Sequence, residues 1–156
     1  MSSPNTLAML QQVDIFQGVP AEALEELLAT AETRGFERGE TIFREREPGD
    51  AMYLVVEGAV ELTQSTGPAA DHRLALLDHG QIFGELALFD HLPRSATAEA
   101  FVKTTLLRFP AEAFDELLDN CSDIAPHLLR NLVRKLSLRL RDADQQINEL
   151  SRAAAR

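Results

Sequence analysis

Cysteine is nearly absent from this chain of 156 residues, which contains Cys121 alone. A single cysteine excludes an internal disulfide, so we expect a reducing compartment, the cytoplasm. We interpret Cys121 itself as an inert packing residue near the end of a helix. Long apolar runs are missing too, and none approaches the length that spans a membrane. The first ten residues lack a basic region followed by an apolar one, which predicts no signal peptide.

Spacings typical of metal centres and catalytic sites are also missing. The four histidines, His72, His79, His91 and His127, show no metal-type spacing. Metal enzymes of the cupin kind need a close His-x-His pair, which the sequence lacks. No nucleophile elbow and no glycine-rich nucleoside triphosphate loop occurs. We therefore expect no metal, no catalytic residue, no cofactor and no enzymatic activity.

The charge of the chain is unevenly distributed. The formal net charge is −10, but residues 127–156 carry seven Arg or Lys and three acidic residues. Residues 1–126 carry eight basic and twenty-two acidic residues. Such an acidic body argues against direct binding of nucleic acid, which needs many contacts between cations and phosphates. An anionic ligand must instead be captured locally, against an unfavourable long-range field.

Short apolar segments separated by turns follow Arg34 and predict strands. The length and an apolar fraction of 45% fit one ordinary domain. About eight short strands predict an antiparallel jelly-roll β-barrel within an α+β, mainly β, fold. Glu57-Gly58 predicts a tight hairpin, and Ser65–Asp71 a polar loop. The clearest strands are Thr41–Phe43, Met52–Val56, Ala59–Thr63, Leu74–Leu77, Ser95–Ala100 and Thr104–Phe109.

Helical patterns lie on both sides of the strands. A short amphipathic segment over Thr6–Val13 precedes a helix that follows Pro20 and runs over residues 21–31. After the strands, a helix is predicted from Pro110 to about Asp119. Asn120–Asp123 is predicted to cap a long final helix. The predicted organisation is a helical segment over 1–32, a β-barrel over 33–110 and C-terminal helices over 111–156.

The final helix carries an apolar stripe with coiled-coil-like spacing and one slip in heptad phase. Its members are Leu129, Leu132, Leu136, Leu140, Ala143, Ile147 and Leu150. One interpretation is a helix packed on its own barrel. At roughly 30 residues and about 45 Å, however, the stripe is longer than the barrel. A partner helix is therefore expected, and a homodimer is the default.

Residues 82–101 contain the residues most indicative of a ligand site. Gly84 permits a sharp turn and a close backbone approach to a ligand. Glu85–Leu88 can form one helical turn, whose free N–H groups suit an anion. Arg94 supplies a guanidinium for phosphate oxygens, and the Glu85 carboxylate fits a ligand that also offers hydroxyl donors. Together they indicate a nucleotide. The alternative is a strand–turn–strand segment with a surface salt bridge between Glu85 and Arg94.

The same segment closely resembles the phosphate-binding cassette of cyclic nucleotide-binding domains, the family of the catabolite activator protein and the protein kinase A regulatory subunits. The family pattern is F-G-E-[LI]-[AG]-L, a loop, then P-R-[ATS]-A-[TS]. Eleven of the fifteen positions from Phe83 to Thr97 fit it. The segments R-G-E-x-I-F and P-G-D-x-M-Y-L-V-x-x-G-x-V, at residues 38–43 and 48–60, also resemble the family. We call residues 82–97 the cassette.

The resemblance implies a cyclic nucleotide sensor whose final helix closes over the ligand. It implies that Glu85 binds the ribose 2′-hydroxyl and Arg94 the exocyclic phosphate oxygens. Phe83, Leu86 and Ala87 belong to the implied site, and backbone N–H groups of Gly84–Ala87, Ser95 and Ala96 complete it. The alternatives are an interaction module for another phosphorylated ligand, or a DNA-binding-deficient relative that regulates a partner by heterodimerising. The effector protein is unknown.

The chain departs from the family pattern at two places. Arg46-Glu47 replaces a glycine before Pro48, in a turn expected to lie away from the cassette and not to affect the ligand. Arg139 and Leu140 replace a Thr-Ser pair that recognises adenine in the catabolite activator. Arg139 could stack on a purine, donate two hydrogen bonds to guanine, or face water. Ser95 does not decide the base, and we expect cAMP, with cGMP as the alternative. The chain ends at Arg156 with no room for a helix-turn-helix, so a sensor without an attached reader is expected.

Overall fold

The computed structural model describes residues 4–68, 70–121 and 123–156. Ala69 in the predicted polar loop and Ser122 in the predicted cap lie outside the described residues. The described chain contains five α-helices, a 3-10 turn at Asp14–Phe16 and eight strands. The helices are α1 Pro4–Gln11, α2 Ala21–Ala29, α3 Ala87–Asp90, α4 Ala111–Asn120 and α5 Ala125–Ala154. The strands are β1 Glu32–Phe36, β2 Thr41–Phe43, β3 Ala51–Glu57, β4 Ala59–Ser65, β5 Asp71–Asp78, β6 Ile82–Phe83, β7 Thr97–Ala100 and β8 Thr104–Pro110.

The strands form two four-stranded antiparallel sheets, with the orders β1-β8-β3-β6 and β2-β7-β4-β5. The predicted fold class, an antiparallel jelly roll with helices at both ends of the chain, is confirmed. Connections that pass from one sheet to the other are typical of this architecture.

Strand β3 shows how the sequence builds the core. Successive side chains of a strand point to opposite faces. Met52 and Leu54 therefore pack against the helices, while Ala51, Tyr53 and Val55 point into the barrel. All five are at most 7% exposed, so β3 is buried on both faces. Strand β3 pairs with the cassette strand β6 on one edge and with β8 on the other.

The hairpin predicted at Glu57-Gly58 is wrong. Strand β3 pairs with β6 and β8, whereas β4 pairs with β5 and β7, so the chain crosses between the sheets at this point. Gly58 has a φ of +96°, and a Cβ on it would lie 2.5 Å from the carbonyl oxygen of Lys103. The glycine is needed for a tight corner against another strand end. The hairpin of this region is β4–β5.

The predicted helices are present, but the predicted cap of the final helix is wrong. Asn120 is the last residue of α4, and Ile124 occupies the N-cap position of α5 without a side-chain cap hydrogen bond. Ile124 is 1% exposed in the core, so packing fixes this helix start instead of a polar cap. Pro126 lies in the first turn of α5, as predicted.

Among the described residues, the buried and hydrogen-bonded contacts of α5 with the domain come from its first three turns. Leu128 and Leu132 are buried, and the Asn131 amide donates hydrogen bonds to the carbonyl oxygens of Ile15 at 3.1 Å and Gln17 at 2.7 Å. From Leu136 to the end of α5, every residue is exposed. The sequence predicted that Leu132 belongs to the apolar stripe of the helix. Leu132 is instead buried against its own domain, so it is not part of the exposed stripe. Within the described ranges, no helix is long and apolar enough to cross a membrane.

Candidate functional site

One cavity of about 580 Å³ lies between the cassette and α5. Every side chain or glycine that the sequence singled out for ligand binding lines this cavity: Phe83, Gly84, Glu85, Leu86, Ala87, Arg94, Ser95, Ala96 and Arg139. Lys135 of α5 lines it too, although the sequence did not single it out. The elements that hold these residues are β6, the turn into α3, the chain before β7, and α5.

Gly84 adopts a conformation that other residues reach only with strain. Its φ is +74°, and a Cβ there would lie 2.6 Å from Nη1 of Arg94 and 3.2 Å from the carbonyl oxygen of Ala51. The glycine thus lets the backbone pass directly beside the Arg94 guanidinium. The turn that follows begins at Glu85, whose carbonyl oxygen accepts a hydrogen bond from the Leu88 amide at 3.1 Å. The assigned helix begins two residues later than predicted, at Ala87.

Arg94 is buried at 5% exposure and held from two sides. Its Nη2 donates to the carbonyl oxygen of Ala51 at 2.8 Å and its Nη1 to that of Gly84 at 3.3 Å. The guanidinium carbon lies 4.1 Å from the centre of the Phe43 ring, a cation–π contact. Among the described residues, its buried Nε has no hydrogen-bond partner. A buried donor left in this state is costly, which favours an acceptor supplied by a ligand.

A chain of charges supports the Arg94 guanidinium from outside the cavity. Oδ1 of Asp50 lies 3.6 Å from Nη2 of Arg94, and its Oδ2 lies 3.2 Å from Nη2 of Arg108. Burial lowers the pKa of Arg94, and Tyr53 and Asp50 oppose that shift. Arginine still keeps its charge at neutral pH because its ordinary pKa is so high. Asp50 therefore positions a cation that faces the cavity.

Glu85 is the second buried charge of the site, at 6% exposure. Its Oε1 accepts a hydrogen bond from Nζ of Lys135 at 2.7 Å, and Nη1 of Arg139 lies 4.0 Å from the same oxygen. Both cations belong to α5, so the long helix closes over the cassette at this carboxylate. Glu85 and Arg94 have different partners and both are buried, so a surface salt bridge between them is wrong.

The prediction that the turn before Pro48 lies away from the cassette is wrong, because this turn contacts the backbone of Arg94. The Arg46 amide donates to the carbonyl oxygen of Arg94, and the Arg94 amide donates to that of Glu47, both at 2.8 Å. Arg46 has a φ of +74°, so the turn keeps a left-handed residue although no glycine is present. Such a conformation strains a residue with a Cβ. The two hydrogen bonds offset the strain and fix the backbone of Arg94.

Three residues of β4 and β5, Leu62, Ala75 and Leu77, give the cavity an apolar wall. Their alternate positions along paired strands place them on one sheet face. The period of two along these strands was a usable signal for this wall. Lys135 also had a signal, since it lies four residues before Arg139 and therefore on the same helix face. Among the described residues, no group of His, Cys, Asp and Glu is arranged to hold a metal ion.

The cavity thus combines a buried guanidinium beside a glycine turn, a buried carboxylate under a helix, and an apolar wall. Residues 33–121 match the family model of the cyclic nucleotide-binding domain. The chain belongs to this family. It is 30% identical to the CRP-like cAMP-activated global transcriptional regulator of Mycobacterium tuberculosis, over 82% of this chain and 57% of that protein. It is 34% identical to the cyclic AMP receptor protein of Thermus thermophilus, over 91% of this chain and 64% of that protein.

A solved structure supports the same assignment at the level of the fold. The N-terminal domain of a transcriptional regulator from Streptomyces coelicolor has a TM-score of 0.76 and 32% identity. The match covers 83% of this chain and 92% of that structure. The chain spans less than two thirds of the length of the two curated relatives described above.

Proposed function

We propose that this protein is a regulatory sensor that binds cAMP in the cavity between the cassette and α5 and signals by repositioning α5. The observation that carries the proposal is the meeting of Glu85, Arg94 and Lys135 in one cavity. Glu85 suits the sugar of a nucleotide and Arg94 suits its phosphate. Lys135 joins Glu85 to the long helix α5. Ligand binding at Glu85 therefore acts directly on α5.

Arg94 serves the phosphate. Its guanidinium is already fixed by Ala51 and Gly84, so little side-chain entropy is lost when an anion binds. The buried Nε without a partner is a donor that a phosphate oxygen satisfies. The amides at the start of the turn that leads into α3 complete the contacts, because the first N–H groups of a helical turn lack internal partners.

Glu85 serves the ribose. Among the described residues, its polar contacts use Oε1, so Oε2 remains available to accept a hydrogen bond from the 2′-hydroxyl. Lys135 holds the carboxylate in one orientation and neutralises part of its charge. This neutralisation matters because a bare carboxylate would repel the phosphate bound at Arg94.

The purine fits the apolar wall formed by Leu62, Ala75 and Leu77. A cavity of about 580 Å³ lies in the range of ordinary small-molecule sites. Relatives named for cAMP support cAMP over cGMP as the ligand. Arg139 lies in the lining of the cavity, and its replacement tests whether it contacts the base.

The same proposal includes the biological setting. In this proposal the chain is a binding module without catalysis of its own, and it acts in the cytoplasm as a homodimer through α5. The acidic body and the exposed stripe of the helix fit this setting. Its domain organisation is the one predicted above, with a helical segment over 1–32, the barrel over 33–110 and the C-terminal helices over 111–156. The effector is a protein that responds to the position of α5.

The experiment is a titration of the purified chain with cAMP, cGMP, 2′-deoxy-cAMP and 5′-AMP. Binding is measured by calorimetry and by the shift in thermal unfolding. A ligand at a hundredfold excess over its Kd stabilises the native state by roughly 3 kcal/mol. We expect cAMP to bind best, 2′-deoxy-cAMP to bind more weakly, and 5′-AMP not to bind in the same range. Binding of 5′-AMP but not of cyclic nucleotides would favour a module for another phosphorylated ligand. No binding of any of the four would leave regulation by heterodimerisation as the better proposal.

A further inference from the structure

Strands β4 and β7 stop pairing next to the cassette. Their register ends at the pair Thr63↔Thr97, although β4 stays paired with β5 as far as Ser65. One further step of two residues in the same register would set Ser65 opposite Ser95. Because Ser95 lines the ligand cavity, the ladder between β4 and β7 ends where the cavity wall begins.

The pair that is missing would have been a hydrogen-bonded one. At the other end of these strands, the amide of Phe101 donates to the carbonyl oxygen of Ala59 at 2.9 Å. Hydrogen-bonded pairs recur at every second residue of an antiparallel ladder, so Ser65 and Ser95 fall in the same series. In such a pair, each of the two amides donates to the carbonyl oxygen of the other residue. A continued ladder would therefore have used the Ser95 amide.

Two side chains replace the bonds of the missing pair. Nε2 of Gln64 donates to the carbonyl oxygen of Ser95 at 3.2 Å. The amide of Ser65 donates to Oε2 of Glu45 at 3.1 Å. Glu45 is itself fixed at this position, because its amide donates to Oγ1 of Thr97 at 3.0 Å. Among the described residues, the amide of Ser95 is left without a backbone acceptor.

We propose that Gln64 and Glu45 are positioning residues that stop the ladder one pair early and so keep the Ser95 amide free to donate to the phosphate of the ligand. Neither side chain lines the cavity, so both act through the backbone of Ser95 and not on the ligand itself. The role given to the Ser95 amide rests on the proposed function. The stopping of the ladder rests on the strand register and the hydrogen bonds alone.

The ladder must stop here because an amide has a single hydrogen to donate. If the Ser95 amide donated to the carbonyl oxygen of Ser65, a phosphate oxygen could not use the same hydrogen. The free amide also lies between two fixed points of the backbone. Arg94, on one side, is held by the turn before Pro48, and Thr97, on the other, is held by Glu45. Little backbone freedom is therefore left to lose when a phosphate binds.

The stopping of the ladder is tested by amide hydrogen exchange, measured by NMR without any ligand. In the wild type we expect the Ser95 amide to exchange rapidly, because it has no acceptor. Combining Glu45→Leu with Gln64→Leu removes both replacement bonds, so the ladder should close and slow the exchange of Ser95 about tenfold or more. Glu45→Gln keeps an oxygen acceptor for Ser65 and is the matched control, which should exchange as the wild type does.

Each single variant, Glu45→Leu or Gln64→Leu, should give part of this effect, and the two test the proposal if the double variant does not fold. Exchange of the Ser95 amide at the wild-type rate in all the leucine variants would overturn the proposal. A slow Ser95 amide in the free wild type would overturn it too.

The consequence for the phosphate is tested by calorimetry with the same chains. The double leucine variant should bind cAMP about tenfold more weakly than the wild type, because one hydrogen bond to a charged group is lost. Glu45→Gln should bind at least as tightly as the wild type, since it keeps the acceptor and removes a negative charge near the phosphate. If Glu45 acted by its charge alone, Glu45→Leu would instead bind as tightly as Glu45→Gln, and the proposal would be wrong.

The two diastereomers of the phosphorothioate of cAMP separate positioning from a general loss of structure. Each carries sulfur in place of one exocyclic oxygen, and the Ser95 amide meets one of these two positions. The ratio of their dissociation constants should therefore change about threefold or more in the double leucine variant, whereas an equal loss for both would contradict the proposal. A wild type that binds no cyclic nucleotide, together with slowed Ser95 exchange in the double variant, would reject the proposed ligand and confirm the stopped ladder.

Discussion

The ammonium nitrogen of Lys135 lies 2.7 Å from Oε1 of Glu85, a contact that joins the long helix α5 to the carboxylate of the cassette. Glu85 is nearly buried, so the carboxylate depends on this cation. Asn131, one turn earlier, is anchored to the 3-10 turn at Asp14–Phe16. Movement of α5 about that anchor must therefore break or carry along the Lys135–Glu85 contact.

We predict that Lys135→Met will destabilise the chain and weaken nucleotide binding together. A double-mutant cycle of Lys135→Met with Glu85→Gln should give a coupling energy on the order of 1–2 kcal/mol in denaturant unfolding. The affinity for cAMP should fall about fivefold in Lys135→Met, because the carboxylate loses the contact that orients it. Arg134→Met, an exposed neighbour on α5, is the control and should change neither quantity. A coupling energy near zero would show that the contact has no energetic role.

We predict that Arg94→Leu will lower cAMP affinity at least tenfold, since a charge-assisted contact contributes on the order of 1.5–3 kcal/mol. The same change leaves the carbonyl oxygens of Ala51 and Gly84 without their donor, so stability should fall as well. Glu85→Ala should cost less affinity and should reduce discrimination against 2′-deoxy-cAMP. Arg94→Lys keeps the charge without the planar fork. It therefore separates the effect of the charge on affinity from the effect of the lost hydrogen bonds on stability. Titration curves that match the wild type for Arg94→Leu and Glu85→Ala would reject the cassette as the binding site.

Asp50 gives a prediction outside the cavity lining. Asp50→Asn removes the charge between Arg94 and Arg108, and the two guanidinium groups then repel each other. Because Asp50 is largely exposed, we expect a modest two- to fivefold loss of cAMP affinity, in line with the 0.2–1 kcal/mol typical of exposed ion pairs. The effect should shrink in high salt. Asp115→Asn, on the exposed face of α4, is the control and should bind as the wild type does.

Local patterns in the sequence were sufficient for the strands, most helices and the cassette. Strand β3 illustrates the reason, because its continuous apolar run over residues 51–55 indicates burial on both faces. Local patterns could not predict which strands pair with each other. Glu57-Gly58 has the same local signal whether the chain returns as a hairpin or turns a corner into the other sheet. At the corner, Gly58 lies against the backbone of Lys103, a residue distant in sequence that no local pattern links to it.

The site shows the same division between local and distant information. Gly84, Glu85 and Arg94 lie within one motif, and the sequence brought them together. Lys135 is 50 positions from Glu85, and only the docking of α5 on the domain joins them. Leu132 and Val133 are adjacent and both apolar, so periodicity could not decide which of them packs on the barrel. Their burial in the structure decides it, since Leu132 is 8% exposed and Val133 is 62% exposed.

The turn at Arg46 gives a prediction about stability. Arg46 is left-handed at a φ of +74°, which costs a residue with a Cβ on the order of 1 kcal/mol. Arg46→Gly should remove this strain and raise the Tm by about 1–4 °C, after allowance for the greater freedom of glycine in the unfolded chain. Arg44→Gly in the same segment lacks the left-handed φ and should lower the Tm instead. A lower Tm for Arg46→Gly would mean that the hydrogen bonds to Arg94 depend on the arginine itself.

The choice of base gives the last prediction, which concerns Arg139. Its side chain lines the cavity and is 61% exposed, and its Nη1 lies 4.0 Å from Oε1 of Glu85. The contact with Glu85 directs the group toward the carboxylate of the cassette, so we do not expect it to donate two hydrogen bonds to guanine. We therefore expect cAMP to be preferred over cGMP in the wild type, and the ratio of the two dissociation constants to change less than threefold in Arg139→Ala. Competition between the two nucleotides in both chains measures this ratio. A preference for cGMP that vanishes in Arg139→Ala would assign the base contact to Arg139 and reverse the expected ligand.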